Sequence, residues 1–126
     1  MRHFGIMFVA VTMTIVLAAG DAAAEKFTRV GSARTFKGRV VNKVLETPVS
    51  MFIIRGDGTL AGQVTKGPMA GSITGKWKWK NGSFCRTIFL NGKRVDNKCQ
   101  AILISRDKVM FVDKKGAGNG TLFSMK

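Results

Sequence analysis

The chain has 126 residues, with 21 Lys and Arg against 7 Asp and Glu and a formal net charge of +14 at pH 7. That length gives one domain with a single modest core. The charge favours anionic partners, acidic proteins among them, without fixing a fold.

The chain opens on Met1-Arg2-His3, continues with an apolar run over 4–19, and then reaches the small residues Ala22-Ala23-Ala24. A charged start, an apolar stretch and an A-x-A site form a secretory signal peptide over 1–24. The run of about 16 residues is shorter than the about 20 a spanning helix needs. The expected product is one β-domain over 25–126, periplasmic or secreted, with no integral membrane segment. The leader removes Arg2 and Asp21 together, so the net charge is unchanged.

From there on the signals are those of strands. Short runs rich in Val, Ile, Phe and Thr alternate with Gly, Asn and Asp, and no apolar spacing of i, i+3, i+4, i+7 persists over three turns. Strands are predicted over 35–45, 49–55, 59–65, 72–80, 83–90, 98–105, 108–113 and 120–125, with a weak extra one over 26–30. Gly56-Asp57-Gly58 and Asn81-Gly82 supply residues that tolerate positive φ, as tight hairpins require. Gly67-Pro68 and 116–120 are looser breaks. About eight evenly spaced strands predict an all-β fold: a small antiparallel meander closing into a barrel or strongly curled sheet.

Cys85 and Cys99, the two cysteines, lie in the exported part and are expected to form a disulfide. If Asn91-Gly92-Lys93 is the hairpin loop, Leu90 pairs with Arg94, and counting outward sets Cys85 opposite Cys99. Such a bridge is worth roughly 3 kcal/mol by chain entropy.

In "GKWKWKNGSFC" the period of two places Trp77 and Trp79 on one face with Ile73 and Gly75. Lys76, Lys78 and Lys80 fall on the other, beside Ser72 and Thr74. Burying two indoles is worth several kcal/mol, so the tryptophans are read as core and the lysines as outer wall. Each buried indole N–H then needs an acceptor. Lys37, Arg39 and Lys43 are expected to share one face of the first strand, giving with Lys76, Lys78 and Lys80 the candidates for anion binding. Arg106, Lys108, Lys114 and Lys115 crowd the last turns.

Catalytic groups are scarce. His3 departs with the leader, there is no tyrosine, and Glu25, Glu46, Asp57, Asp96, Asp107 and Asp113 are scattered. No pairing among them argues for acid–base work, and no histidine remains to bind zinc beside an oxidised cysteine pair. No enzyme, metal or cofactor is therefore expected. Arg55-Gly56-Asp57 is read as a turn, not an integrin motif. Asn81-Gly82-Ser83 and Asn119-Gly120-Thr121 are also read as turns, not glycan acceptors. "KKGAGNG" is not followed by a helix start, so it is no phosphate cradle.

The succession "DGTLAGQ", "GKWKWKNGSFC" and "NKCQAILISRDKVMFVD" resembles a family of small exported proteobacterial β-proteins of unknown function, lipocalin-like in their sheet. The resemblance spans 35–126 and rests on Asp57, Gly58, Gly75, Trp77, Cys85 and Cys99. It implies fold and compartment, and no activity. The functional expectation is a non-enzymatic exported binding protein. Its lysine-rich outer face would meet an anionic envelope component or macromolecule: lipopolysaccharide, glycan, nucleic acid or an acidic protein. The alternative is a small periplasmic inhibitor or accessory protein that docks on another protein. A carrier of an apolar ligand would need more interior than about 100 residues usually leave free.

Overall fold

The computed structural model describes residues 26–113 and 120–126. The signal-peptide assignment, Lys114, Lys115 and most of "KKGAGNG" lie outside the described residues. The elements in chain order are β1 (Thr28–Arg29), α1 (Ala33–Arg39), β2 (Val44–Thr47), β3 (Ser50–Ile54), β4 (Thr59–Val64), β5 (Gly71–Lys80), β6 (Ser83–Leu90), β7 (Lys93–Ser105), β8 (Lys108–Asp113) and β9 (Gly120–Met125). Strands β2 to β9 each pair antiparallel with their chain neighbours, and β2 also pairs with β9. The result is a closed eight-stranded up-and-down barrel, with β1 added against β7 at Thr28↔Ile104.

The hairpins follow from local chemistry. Asn81 (φ 51°) and Gly82 (φ 74°), like Asn91 (φ 52°) and Gly92 (φ 84°), form two-residue turns with positive φ at both positions. That backbone matches the strand twist, and Asn and Gly adopt it at least cost. The second turn corrects the expected loop. Leu90 pairs with Lys93 across two residues, not with Arg94 across three. A bulge then shifts the register after Ile88, leaving exposed Val95 as the extra residue. Turn and bulge together restore the expected offset, so Cys85 faces Cys99 and the disulfide forms.

The predicted strand over 35–45 is corrected as well. Ala33–Arg39 is a helix, with Ser32 as its N-cap accepting from the Thr35 amide at 3.2 Å, and only Val44 and Leu45 of that stretch enter a strand. The cap satisfies an orphan helix amide. Phe36 and Val40, four residues apart, are fully buried below it.

Inside the barrel, α1 plugs one end. The Phe36 ring stacks on Trp79 at 5.0 Å between centroids, meets Trp77 edge-on at 5.4 Å and tilts against Phe84 at 5.3 Å. From Phe84 the chain of rings continues to Phe111, Phe123 and Phe52, at 5.5, 5.3 and 5.1 Å for successive pairs. Trp77 is 9 % exposed, and its indole N–H donates to the Arg55 carbonyl at 2.8 Å. Trp79 is half-buried against the same core. Leu45, Ile54, Leu60, Ile102 and Val109 fill the remaining interior positions.

Candidate functional site

The hairpin turns sort the molecule into two ends. Turns β3–β4, β5–β6 and β7–β8 lie at the end closed by α1; turns β2–β3, β4–β5 and β6–β7 lie at the opposite mouth.

Lys37 and Arg39 occupy the last turn of α1 and Lys43 the link to β2, so none of them shares a strand face as expected from the sequence. All three are exposed, as is Arg34 on the same helix, which sequence reasoning did not single out. Cations in the last helical turn also suit the negative pole of the helix. Lys76, Lys78 and Lys80 stand outward on β5, about 7 Å apart at two-residue spacing, and their stripe ends at the Asn81-Gly82 turn. Because Phe36 packs on Trp79, the helix and Lys80 share one end of the barrel. Arg39 reaches a further turn there, donating from Nη2 to the Arg106 carbonyl at 3.4 Å. Arg34, Lys37, Arg39, Lys43, Lys76, Lys78 and Lys80 make no ion pair among the described residues. Beside the disulfide, a recess of about 310 Å³ opens between Lys76, Lys78, Thr87 and Asn97.

Arg55-Gly56-Asp57 forms the β3–β4 turn at the helix end. Asp57 Oδ1 accepts from the Thr59 hydroxyl at 2.6 Å and the Thr59 amide at 3.0 Å. These two bonds, the hydroxyl's first, hold the Asp57 carboxyl below its usual range. Its Oδ1 is thus engaged within the turn.

The mouth has a different character. Arg86 is in phase with Phe84 and Ile88 on β6, and Lys98 and Gln100 are in phase with Ile102 and Ile104 on β7, so polar groups point into the barrel. Arg86 pairs with Asp96 through Nη2. Lys98 Nζ lies 3.1 Å from Asp113 Oδ2 and 3.9 Å from Asp96 Oδ2. Gln100 Nε2 donates to Asp113 Oδ1 at 2.8 Å. The Gln100 bond, followed by the Lys98 bond, holds the Asp113 carboxyl below its usual range.

Together with Phe111, Phe123, Gly120 and Thr121 this network lines a cavity of about 520 Å³. Two polar atoms of these residues, Arg86 Nε and Gln100 Oε1, are buried with no hydrogen-bond partner among the described residues. An unsatisfied buried group costs about 1–3 kcal/mol. The charged groups of the cavity are paired with one another. The signal for this cluster was in the sequence, as polar residues at positions whose neighbours two away are core.

Among the described residues, Arg86 and Lys98 in the mouth are paired with carboxylates, whereas the cations of the helix and the β5 stripe make no ion pair; nor do Lys66, Lys93 and Arg94 near the turns of the opposite end. Among the described residues no three His, Cys, Asp or Glu side chains come together to hold a metal, and no helix is long and apolar enough to cross a membrane. The chain matches no protein-family model, no curated protein and no solved structure.

Proposed function

We propose that the protein is a non-enzymatic binding protein, exported to the periplasm or the medium, as in the β-protein family that its Gly-x-Trp and two-cysteine pattern resembles. Its outer cations associate with an anionic envelope component or macromolecule. The observation that carries this reading is that Arg34, Lys37, Arg39, Lys76, Lys78 and Lys80, gathered toward one end of the barrel, make no ion pair among the described residues. Unpaired surface cations offer their full field to a partner, within about 8 Å at physiological ionic strength. Paired ones have already spent most of it. The disulfide between β6 and β7 accords with an oxidising compartment.

The test is retention on heparin resin and on lipopolysaccharide vesicles across a salt gradient. The parent protein is expected to bind at low salt and elute at moderate salt. Replacing Arg34, Lys37 and Arg39 together by Gln, or Lys76, Lys78 and Lys80 together, should move elution to lower salt without changing the thermal midpoint. Retention indifferent to salt would refute the reading. Capture of one stoichiometric protein partner from an envelope extract, insensitive to both triple variants, would favour docking on a protein instead.

A further inference from the structure

The turns opposite α1 carry a surface of their own. Among the described residues the large apolar side chains left exposed are Met69 at 54 %, Val95 at 48 %, Leu122 at 46 % and Val49 at 45 %. Single exposed apolar residues are ordinary on a protein surface. Their gathering is what needs a cause. Val49 is in the β2–β3 turn, Met69 in the β4–β5 turn and Val95 in the bulge beside the β6–β7 turn, all at the same end. Leu122 lies on β9, and the α1 end carries none of this kind among the described residues.

Hydrogen bonds make the three tips one platform. The Thr65 amide, at the foot of the β4–β5 turn, donates to the Val49 carbonyl at 2.7 Å. Past that turn, the Ser72 amide donates to Asn91 Oδ1 at 2.9 Å, and the Asn91 amide returns to the Ser72 carbonyl at 2.8 Å. The turn itself is closed by the Ala70 amide on the Gly67 carbonyl at 3.2 Å. These turns consist of described residues, and the surface needs no access to the barrel interior. Cations stand among them. Lys66 belongs to the β4–β5 turn, and Lys93 and Arg94 open β7; all three are exposed and make no ion pair among the described residues. Asp96, the next acid along β7, is held by Arg86.

The combination selects the partner. A soluble polyanion would satisfy Lys66, Lys93 and Arg94 but leave Met69 and Val95 in water. A second copy of the chain, in a two-fold contact, would set the same cations against themselves. A bilayer containing anionic lipid accepts both kinds of group: its phosphates meet the cations, and the apolar tips enter the boundary between headgroups and acyl chains. Lysine and arginine suit that boundary, with apolar stems below and charged heads among the phosphates.

We infer that the end of the barrel opposite α1 is a docking surface for an anionic lipid bilayer, with Met69 and Val95 as inserting tips and Lys66, Lys93 and Arg94 as headgroup contacts. The surface is independent of the cations around α1 and β5, and stands or falls without them.

The test is co-sedimentation with vesicles of phosphatidylcholine, alone or with a third of phosphatidylglycerol, joined to NMR of the ¹⁵N-labelled protein on nanodiscs carrying nitroxide-labelled lipid. Binding is expected only with phosphatidylglycerol, and the amides of Lys66, Met69 and Val95 should broaden more than those of α1. A Lys or Arg near such a surface contributes about fivefold in affinity, so replacing Lys66, Lys93 and Arg94 together by Gln should weaken binding about a hundredfold. Met69→Ser with Val95→Ser should weaken it about tenfold, leaving the thermal midpoint and elution from heparin unchanged. Replacing Arg34, Lys37 and Arg39 by Gln should leave the pattern of broadening as it is. The proposal is overturned if phosphatidylglycerol vesicles do not pellet the protein, if the Met69 and Val95 double variant binds as the parent does, or if broadening centres on α1 and the β5 stripe.

Discussion

Replacing Trp77 by Ala removes a side chain that is 9 % exposed, packed 5.4 Å from Phe36 and 5.8 Å from Phe84, and tied to the Arg55 carbonyl at 2.8 Å. A buried Trp→Ala change costs about 3–5 kcal/mol in lost transfer energy and residual cavity. Relaxation here is limited, because the neighbours are rings on separate elements and the wall is a hydrogen-bonded barrel. Against a total of about 5–15 kcal/mol for a domain, that is about a fifth or more of the stability. The expected fall in thermal midpoint is about 15 °C or more. Trp77→Phe keeps a ring in place but strips the donor from Arg55, so it should cost about 1–2 kcal/mol. Lys78→Ala, the adjacent residue on the outer face, should stay within about 0.5 kcal/mol. Thermal melting by circular dichroism reads all three. Equal midpoints for Trp77→Ala and the parent, or a Lys78→Ala loss as large as that of Trp77→Ala, would refute the inside-outside assignment of β5.

Replacing Cys85 and Cys99 together by Ser should cost roughly 3 kcal/mol for a bridge spanning 14 residues, seen as a lower midpoint that reductant no longer alters. Gly62→Ala places a Cβ 2.1 Å from the Met51 carbonyl and 2.4 Å from Phe52 Cβ. The β3–β4 ladder must shift, and a loss of at least about 1–3 kcal/mol in denaturant unfolding is expected. Asp57 and Asp113 are both held below the ordinary carboxylate range by their hydrogen bonds. A depressed folded pKa stabilises above the unfolded value of about 3.9, and that stability is lost as pH falls through the folded pKa. The thermal midpoint should accordingly drop below about pH 4, less steeply in Asp113→Asn; a flat profile there would count against these contacts.

Much of the barrel was legible in the alternation itself. Strands β6, β8 and β9 have the boundaries expected from Val, Ile, Phe and Thr runs set between turn residues. The helix was not, for two physical reasons. Thr35, Val40, Val41 and Val44 favour extended backbone, and seven residues are too few to establish a 3.6 period. What makes the segment helical is its setting: Phe36 is taken up by Trp77, Trp79 and Phe84, and tertiary burial outweighs weak local preference. The Ser32 cap and the Phe36–Val40 spacing were the available hints. The cysteine pairing was reached by an offset that a two-residue turn plus a bulge happens to share with a three-residue loop. The mouth network was half visible. Phase with Phe84, Ile88 and Ile102 turns Arg86 and Gln100 inward, but joining Gln100 to Asp113 requires the β7–β8 pairing to close.

The join between β2 and β9 is where that closure is thinnest. Its register consists of Leu45↔Met125 and Glu46↔Ser124, extended by reciprocal amide bonds between Val44 and Lys126 at 3.1 and 3.0 Å. Across it, Ser124 and Glu46 are 78 residues apart in the chain. Every other barrel pairing links strands that follow one another directly. The seven hairpins can zip locally, whereas the seam repays its loop-closure entropy only once the rest of the wall is in place. It acts as a zipper's final tooth: the natural line of breathing, where a transient opening would present two unsatisfied strand edges to the solvent before any hairpin parted.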